Sequence, residues 1–221
     1  MRKGVQLILA VACCLLLNTA GWAWAGSIVG VVKPQGLRSP EGILVYVAKA
    51  PAGPTDGSQA KFIMDQTQLA FIPHILPVLV DSKVEFPNND KVAHNVFSLS
   101  RAKKFNLGSY QPGEAKTVQF DQPGVVDLRC DVHQEMNAYI LVLNNPYFAL
   151  TDKEGRFTIP DQSYLGAHDV KDVPPLSPGK YLVKTWHEKL KTAKKKIEIS
   201  AAGDTTIVFK PKRGAPGVLY K

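Results

Sequence analysis

The sequence predicts an all-β protein, and three observations carry that expectation. Amphipathic helical periodicity is nearly absent along the 221 residues. Short β-branched runs recur instead, among them "SIVGVV", "ILVYV", "ILPVLV", "KVEF", "VVDLRC", "AYILVL", "KYLVKTW" and "TTIVF", each bounded by the Pro, Gly, Asn and Asp that end strands. Breaker-rich stretches at 50–60 ("APAGPTDGSQA") and 143–149 ("LNNPYFA") mark boundaries between groups of strands, and the length allows one or two domains with proper cores.

The first segment is not part of that fold. Residues 1–25 read as a secretory signal peptide: Arg2 and Lys3, an apolar run from Val5 to Leu17, then the small-x-small site Ala23-Trp24-Ala25. The run is too short for a spanning helix, and no later stretch approaches the roughly 20 apolar residues that a bilayer requires. Cys13 and Cys14 lie inside the apolar run rather than at its end, against an acylated lipoprotein. The expected destination is export, periplasmic or secreted. Cleavage before Gly26 leaves 196 residues, one thiol and a formal charge of +6, since Arg2 and Lys3 leave with the leader. No internal disulfide is then possible, and a solitary Cys130 in an oxidising compartment should be buried and inert, reactive, or held by a metal.

Along the mature chain, "SIVGVV" and "ILVYV" form a first strand pair, and "KFIM" to "AYILVL" supply a longer series. Pro123-Gly124 and Pro178-Gly179 suit type II turns, where glycine supplies the positive φ. Before Cys130 the alternation is clean: Val126, Leu128 and Cys130 share one face, Asp127 and Arg129 the other, so the sulfur points inward. The basic end "KPKRGAPGVLYK" is expected to fray, with 214–221 a flexible tail. The basic balance could suggest nucleic acid, but no interleaved aromatic-basic motif accompanies it. Lys189, Lys191 and Lys194–Lys196 fit a solvated hairpin face or a docking surface for an acidic partner.

Chemistry concentrates at "CDVHQEMN", residues 130–137. Cys130, His133 and Met136 form C-x2-H-x2-M on the turn after an inward-facing strand, and His94-Asn95 lies 36 residues upstream of the cysteine. A thiolate with two neutral imidazoles makes a trigonal set suited to copper, and a weak axial methionine completes its electron-transfer version. Asn95 would stand outside the ligands proper, its amide reaching across to the backbone of the Cys130 loop to fix the geometry; a turn-forming Asn without a metal role is the alternative. Gln134 and Glu135 offer rival axial ligands. His74 reads as a rim residue beside a proline turn and His187 as a cross-strand structural residue on a strand, each with a minor metal alternative; His168 carries no signal.

Residues 69–98 together with 123–143 resemble the plastocyanin/azurin family of cupredoxins, and the short C-x2-H-x2-M loop is similar to that of amicyanin. The resemblance implies a Greek-key β-sandwich over 58–145 and one type 1 copper per chain, ligated by His94, Cys130, His133 and Met136. Similar exported proteins are often labelled methylamine utilisation proteins, a label that implies no pathway. Two departures stand out: the turn where the family usually has glycine reads Asp81-Ser82, expected to form an ordinary β-turn, and Gln134-Glu135 replaces apolar residues beside the second histidine. Residues 147–200 resemble a carboxypeptidase regulatory-like domain, a smaller transthyretin-like β-sandwich with a "tD.eG.f.i" hairpin. Such domains begin with a strand pair like that of 26–50. The expected layout is therefore a cupredoxin inserted into a sandwich made of 26–57 and 146–213; a tandem arrangement, with 26–50 pairing onto the cupredoxin, is the alternative.

The function these expectations imply is a one-electron carrier rather than an enzyme, exchanging electrons near His133 with a periplasmic redox protein such as a c-type cytochrome or a dehydrogenase. A copper chaperone, buffer or sensor would use the same metal, but three methionines in the whole chain disfavour a Met-rich shuttle. A Cys–His hydrolase needs an exposed thiol aligned to a base. A zinc hydrolase needs an open coordination position, which Met136 at this spacing argues against.

Overall fold

The computed structural model describes residues 26–50, 57–200, 203–217 and 219. The signal-peptide expectation for 1–25 lies outside the described residues. Among the described residues, strands and one short α-helix account for nearly all of the regular structure: β1 (Ile28–Val32), β2 (Leu44–Val47), β3 (Lys61–Ile63), β4 (Asp65–Thr67), β5 (Ala70–Ile72), β6 (Ile75–Leu79), β7 (Ser82–Pro87), β8 (His94–Ser100), β9 (Lys103–Tyr110) and β10 (Ala115–Phe120). They continue with β11 (Gly124–Arg129), β12 (Asn137–Leu143), β13 (Phe148–Leu150), β14 (Arg156–Ile159), α1 (Gln162–Ala167), β15 (Gly179–Trp186), β16 (Lys194–Ile199) and β17 (Thr205–Phe209). The protein is all-β, as its strand-period patterning demands.

Two β-sandwiches are built from these strands. In one, the sheet β10-β7-β3 faces the five-stranded sheet β6-β12-β11-β8-β9, and Phe62, Val84, Phe86, Val96, Leu128 and Ile140 fill the space between them. In the other, β14-β1-β17 faces β13-β2-β15-β16 around Ile28, Val45, Ile159, Val183 and Phe209. Among the described residues, β1 pairs with β14 and β17, and β2 with β13 and β15. The strands of 26–50 therefore find their partners beyond residue 146, not in 58–145.

A third apolar cluster joins the two sandwiches. Leu44, Tyr46, Phe148 and Trp186 from the outer face of one sheet meet Ile75, Leu79, Leu141 and Leu143 from the outer face of the other. This explains why "ILVYV", "ILPVL" and "AYILVL" are continuous apolar runs: β2 and β6 are buried at every position, and β12 alternates between two cores instead of between core and solvent. Pro77 is tolerated inside β6 because β6 is an edge strand, and its carbonyl accepts from the Tyr164 hydroxyl at 2.7 Å.

Local expectations differ from the structure at several points. Gly124 (φ 150) and Gly179 (φ 159) do not supply the φ near +80° of a type II turn; they open β11 and β15. A turn does join β6 to β7 at 80–81, but Asp81 takes the left-handed conformation there (φ 69), its N–H donating to Phe120 O at 2.8 Å. The segment expected to be a hairpin at 148–159 is a corner: β13 pairs with β2 in one sheet and β14 with β1 in the other. Gly155 (φ 78) sits at that corner, where a Cβ would lie 2.3 Å from Val32 O. In the tail expected to fray, Leu219 is 1% exposed and its carbonyl accepts from the Tyr46 hydroxyl at 2.8 Å; an apolar side chain near the chain end finds cover in the seam between sandwiches.

Candidate metal centre

His94 is the first residue of β8, Cys130 follows the end of β11, and Met136 precedes β12. β8 and β12 both flank β11, so residues 36 apart in sequence meet at one end of one sheet. One ligand atom from each of His94, Cys130 and His133 can be chosen such that all three lie within 4.8 Å of one another. His94 is fully buried, Cys130 is 4% exposed, and His133 is half-buried. The alternation read from the sequence sets the sulfur's direction: Val126 and Leu128 are buried beside Cys130, while Arg129 reaches out to Asp127 at 2.8 Å.

The two imidazoles turn the same type of nitrogen toward each other, His94 Nδ1 standing 3.1 Å from His133 Nδ1, with ring centroids 4.8 Å apart. The state of His94 follows from its other side. Its Nε2 lies 2.9 Å from Asp90 Oδ2. Asp90 is held down to about 2 by the Leu69 N–H, by His94 itself and by the Lys91 N–H, so the carboxylate is ionised and can only accept. In the neutral ring Nε2 therefore carries the proton, which leaves the Nδ1 lone pair facing the centre. That is the tautomer a metal ligand needs, set by a carboxylate behind it.

Asn95 is 4% exposed; its Oδ1 accepts from the Asp131 N–H at 3.1 Å and its Nδ2 donates to Asn106 Oδ1 at 2.8 Å. It ties β8 to the first residue after the cysteine. A register shift between Asn95 and Phe97 marks a bulge in the β8–β9 ladder, a device that re-aims side chains beside functional sites. The 130–136 loop is closed by Met136 N–H donating to His133 O at 3.0 Å. Met136 is 1% exposed and shares the Cys130 core, whereas Gln134 and Glu135 are exposed. The donor set fits copper: one thiol and two imidazoles converge, with His94 and Cys130 buried and His133 half-buried.

The remaining histidines stand elsewhere. His74 Nε2 lies 3.2 Å from Glu188 Oε1, and its Nδ1 is 3.2 Å from Asn137 O. His187 does not lie on a strand, since β15 ends at Trp186; its Nδ1 accepts from the Lys189 N–H at 3.1 Å, and burial pushes its pKa below the usual imidazole range. His168 stacks on Phe62 at 4.6 Å and on Tyr164 at 4.3 Å, packing α1 against the copper-candidate sandwich. Among the described residues only His94, Cys130 and His133 form a three-donor group. Asp90 is the functional residue that the sequence reading missed; its signal was a carboxylate four residues before the histidine.

Comparisons with known proteins give likenesses at the level of structure. No protein-family model and no curated protein matches the chain. A purple cupredoxin from Nitrosopumilus maritimus is 23% identical over 38% of this chain and 99% of its own, at a TM-score of 0.33. A single-residue mutant of amicyanin in its reduced form is 20% identical over 45% of this chain and 91% of its own, at 0.36. A Cu-containing nitrite reductase from Thermus scotoductus SA-01 is 20% identical over 51% of this chain and 28% of its own, at 0.37.

Proposed function

We propose that this chain is an exported blue-copper protein that passes single electrons between redox partners, with one type 1 copper held by His94, Cys130, His133 and Met136. The observation that carries the reading is the convergence of a buried thiol and two imidazoles from separate elements within 4.8 Å. Copper bound there would supply a Cu(II)/Cu(I) couple, for which sulfur and imidazole suit both oxidation states. The chain's own residues do the rest. Cys130 comes off a buried strand end, where competing water is scarce. Asp90 holds His94 in one tautomer, and Asn95 holds the 130–136 loop through the Asp131 N–H. A cage held by these contacts would rearrange little when an electron arrives. The half-buried His133 offers the edge by which a partner, a c-type cytochrome or a dehydrogenase of the same compartment, would approach. In domain terms, 58–145 would be a cupredoxin inserted into a carboxypeptidase regulatory-like sandwich formed by 26–57 and 146–213, a layout supported by the pairing of β1 and β2 with strands beyond residue 146.

The test is an optical and EPR spectrum of copper-loaded residues 26–221 beside the Met136→Gln variant. An intense visible thiolate-to-copper absorption that bleaches reversibly on reduction is expected, with a shifted spectrum in the variant. A colourless copper-loaded protein overturns the reading, and an identical spectrum in the variant removes Met136 from the site.

A further inference from the structure

We propose that the basic surface formed by β15, β16 and the segments 187–193 and 210–214 binds the surface of an anionic phospholipid bilayer. The proposal is independent of copper. Charge is divided unevenly along the chain: residues 58–145 hold eight basic and nine acidic side chains, whereas residues 179–213 hold ten basic and three acidic. Folding concentrates the excess further. Lys184 lies directly opposite Lys194 in the β15–β16 ladder. The antiparallel Leu190–Arg213 bridge sets Lys191 opposite Lys212 and Lys189 opposite Gly214, with the Lys191 N–H donating to Lys212 O at 2.9 Å and the Gly214 N–H to Lys189 O at 3.0 Å. Like charges placed opposite one another in a ladder destabilise it, so this arrangement is a cost that the fold carries.

Glu198, opposite Lys180 in the same ladder, offsets only part of that cost. Nine of the ten basic residues are exposed. Among the described residues, the one ion pair they make is Lys189 with Glu188 at 3.5 Å, and that carboxylate already serves His74 and His187. Lysines on an open edge also guard against strand-to-strand aggregation. That accounts for Lys194, Lys195 and Lys196 on the edge strand β16, but not for Lys189, Lys191 and Arg213, which lie off it.

The composition of the face decides which anion it fits. Nine of its ten cations are lysine, and its three aromatic residues, Tyr181, Trp186 and Phe209, are buried at 6%, 2% and 1% exposure. Protein interfaces enrich aromatic residues and arginine and deplete lysine, and single-stranded nucleic acid needs exposed stacking platforms. Hydrated point charges spread over several elements, without a fork or a stacking anchor, match a diffuse array of lipid phosphates.

The experiment is sedimentation of residues 26–221, which omit the apolar leader, with vesicles of equimolar phosphatidylglycerol and phosphatidylcholine or of phosphatidylcholine alone. Binding to the anionic vesicles only, lost at high salt, is expected. The variant Lys194→Gln/Lys195→Gln/Lys196→Gln should weaken it about 100-fold, from about 1 kcal/mol per lysine near an anionic surface. A second variant, Lys189→Gln/Lys191→Gln/Arg213→Gln, should do the same; each is first matched to the parent in thermal midpoint, so either one decides should the other misfold. Failure of the unaltered protein to bind anionic vesicles at low salt, equal binding to neutral ones, or undiminished binding by a folded variant overturns the proposal. Retention on immobilised polyglutamate without vesicle binding overturns it in favour of an acidic protein partner.

Discussion

Both oxygens of Asp90 accept hydrogen bonds beside the candidate ligand. One oxygen takes the Leu69 N–H at 2.7 Å and His94 Nε2 at 2.9 Å, and the other takes the Lys91 N–H at 2.7 Å. A carboxylate behind an imidazole makes the ring a better donor to a metal, and losing such a partner typically costs 10–100-fold in affinity. Asp90→Asn should therefore lower copper affinity by about 10–100-fold in competition against a chelator; unchanged affinity would mean that the contact is only structural. Asn95→Ala should cost about 0.5–1.5 kcal/mol in denaturant unfolding of the metal-free chain, because the part-buried hydrogen bond from the Asp131 N–H is lost. The ligand candidates were legible in the sequence for a chemical reason: a lone thiol, a histidine and a thioether at short spacing, with a second histidine upstream, make a soft donor set suited to copper. Asp90 was not, because "NND" reads equally well as turn-forming residues.

β12 illustrates what an element's pattern does and does not disclose. Ile140 faces the core shared with Cys130, while its neighbour Leu141 faces the seam between the sandwiches. Truncating either buried side chain should cost about 2–5 kcal/mol, but at different places. Ile140→Ala should destabilise the sandwich that holds the ligands and speed copper loss with it. Leu141→Ala should leave that core intact and show up as faster amide exchange in β2 and β15 across the seam; indistinguishable exchange patterns in the two variants would contradict the assignment of faces. Alternating runs such as "KVEF" announce both a strand and its buried side, which is why β7 was readable. Continuous runs announce only burial. That β2, β6 and β12 meet across a second interface could not be read, since which sheet covers which is decided by pairings between residues more than a hundred positions apart. The turns were misjudged because a local signal was outweighed by pairing: Gly124 and Gly179 follow prolines, as in a type II turn, but each opens a ladder with the next strand, opposite Val142 and Ile199.

At the scale of the whole molecule, the seam between the sandwiches is apolar at its centre and titratable at its rim. His74, just before β6, meets Glu188, just after β15, at 3.2 Å, and the same imidazole touches Asn137 O beside the 130–136 loop. The hydrogen bond to Glu188 raises the His74 pKa above its usual 6.5. Burial alone would raise Glu188, but the His74 hydrogen bond, His187 and its own backbone N–H together hold it at about 2 instead of 4.5. The signs follow from linkage. A raised histidine contributes stability that is complete below pH 6.5 and is lost as pH rises through the folded value; a depressed glutamate contributes stability present above pH 4.5 and lost as pH falls toward 2. The latch should thus be strongest between pH 4.5 and 6.5. His74 is nearly half exposed, so solvent screening limits its worth to about 0.5–1 kcal/mol. Denaturant unfolding of the metal-free chain, compared with His74→Gln across pH, should give a difference of that size near pH 6 that shrinks steadily toward pH 9. A difference that stays constant or grows on the alkaline side would mean that His74 holds the sandwiches together through packing on Tyr139, 5.6 Å away between ring centres, and not through its charge.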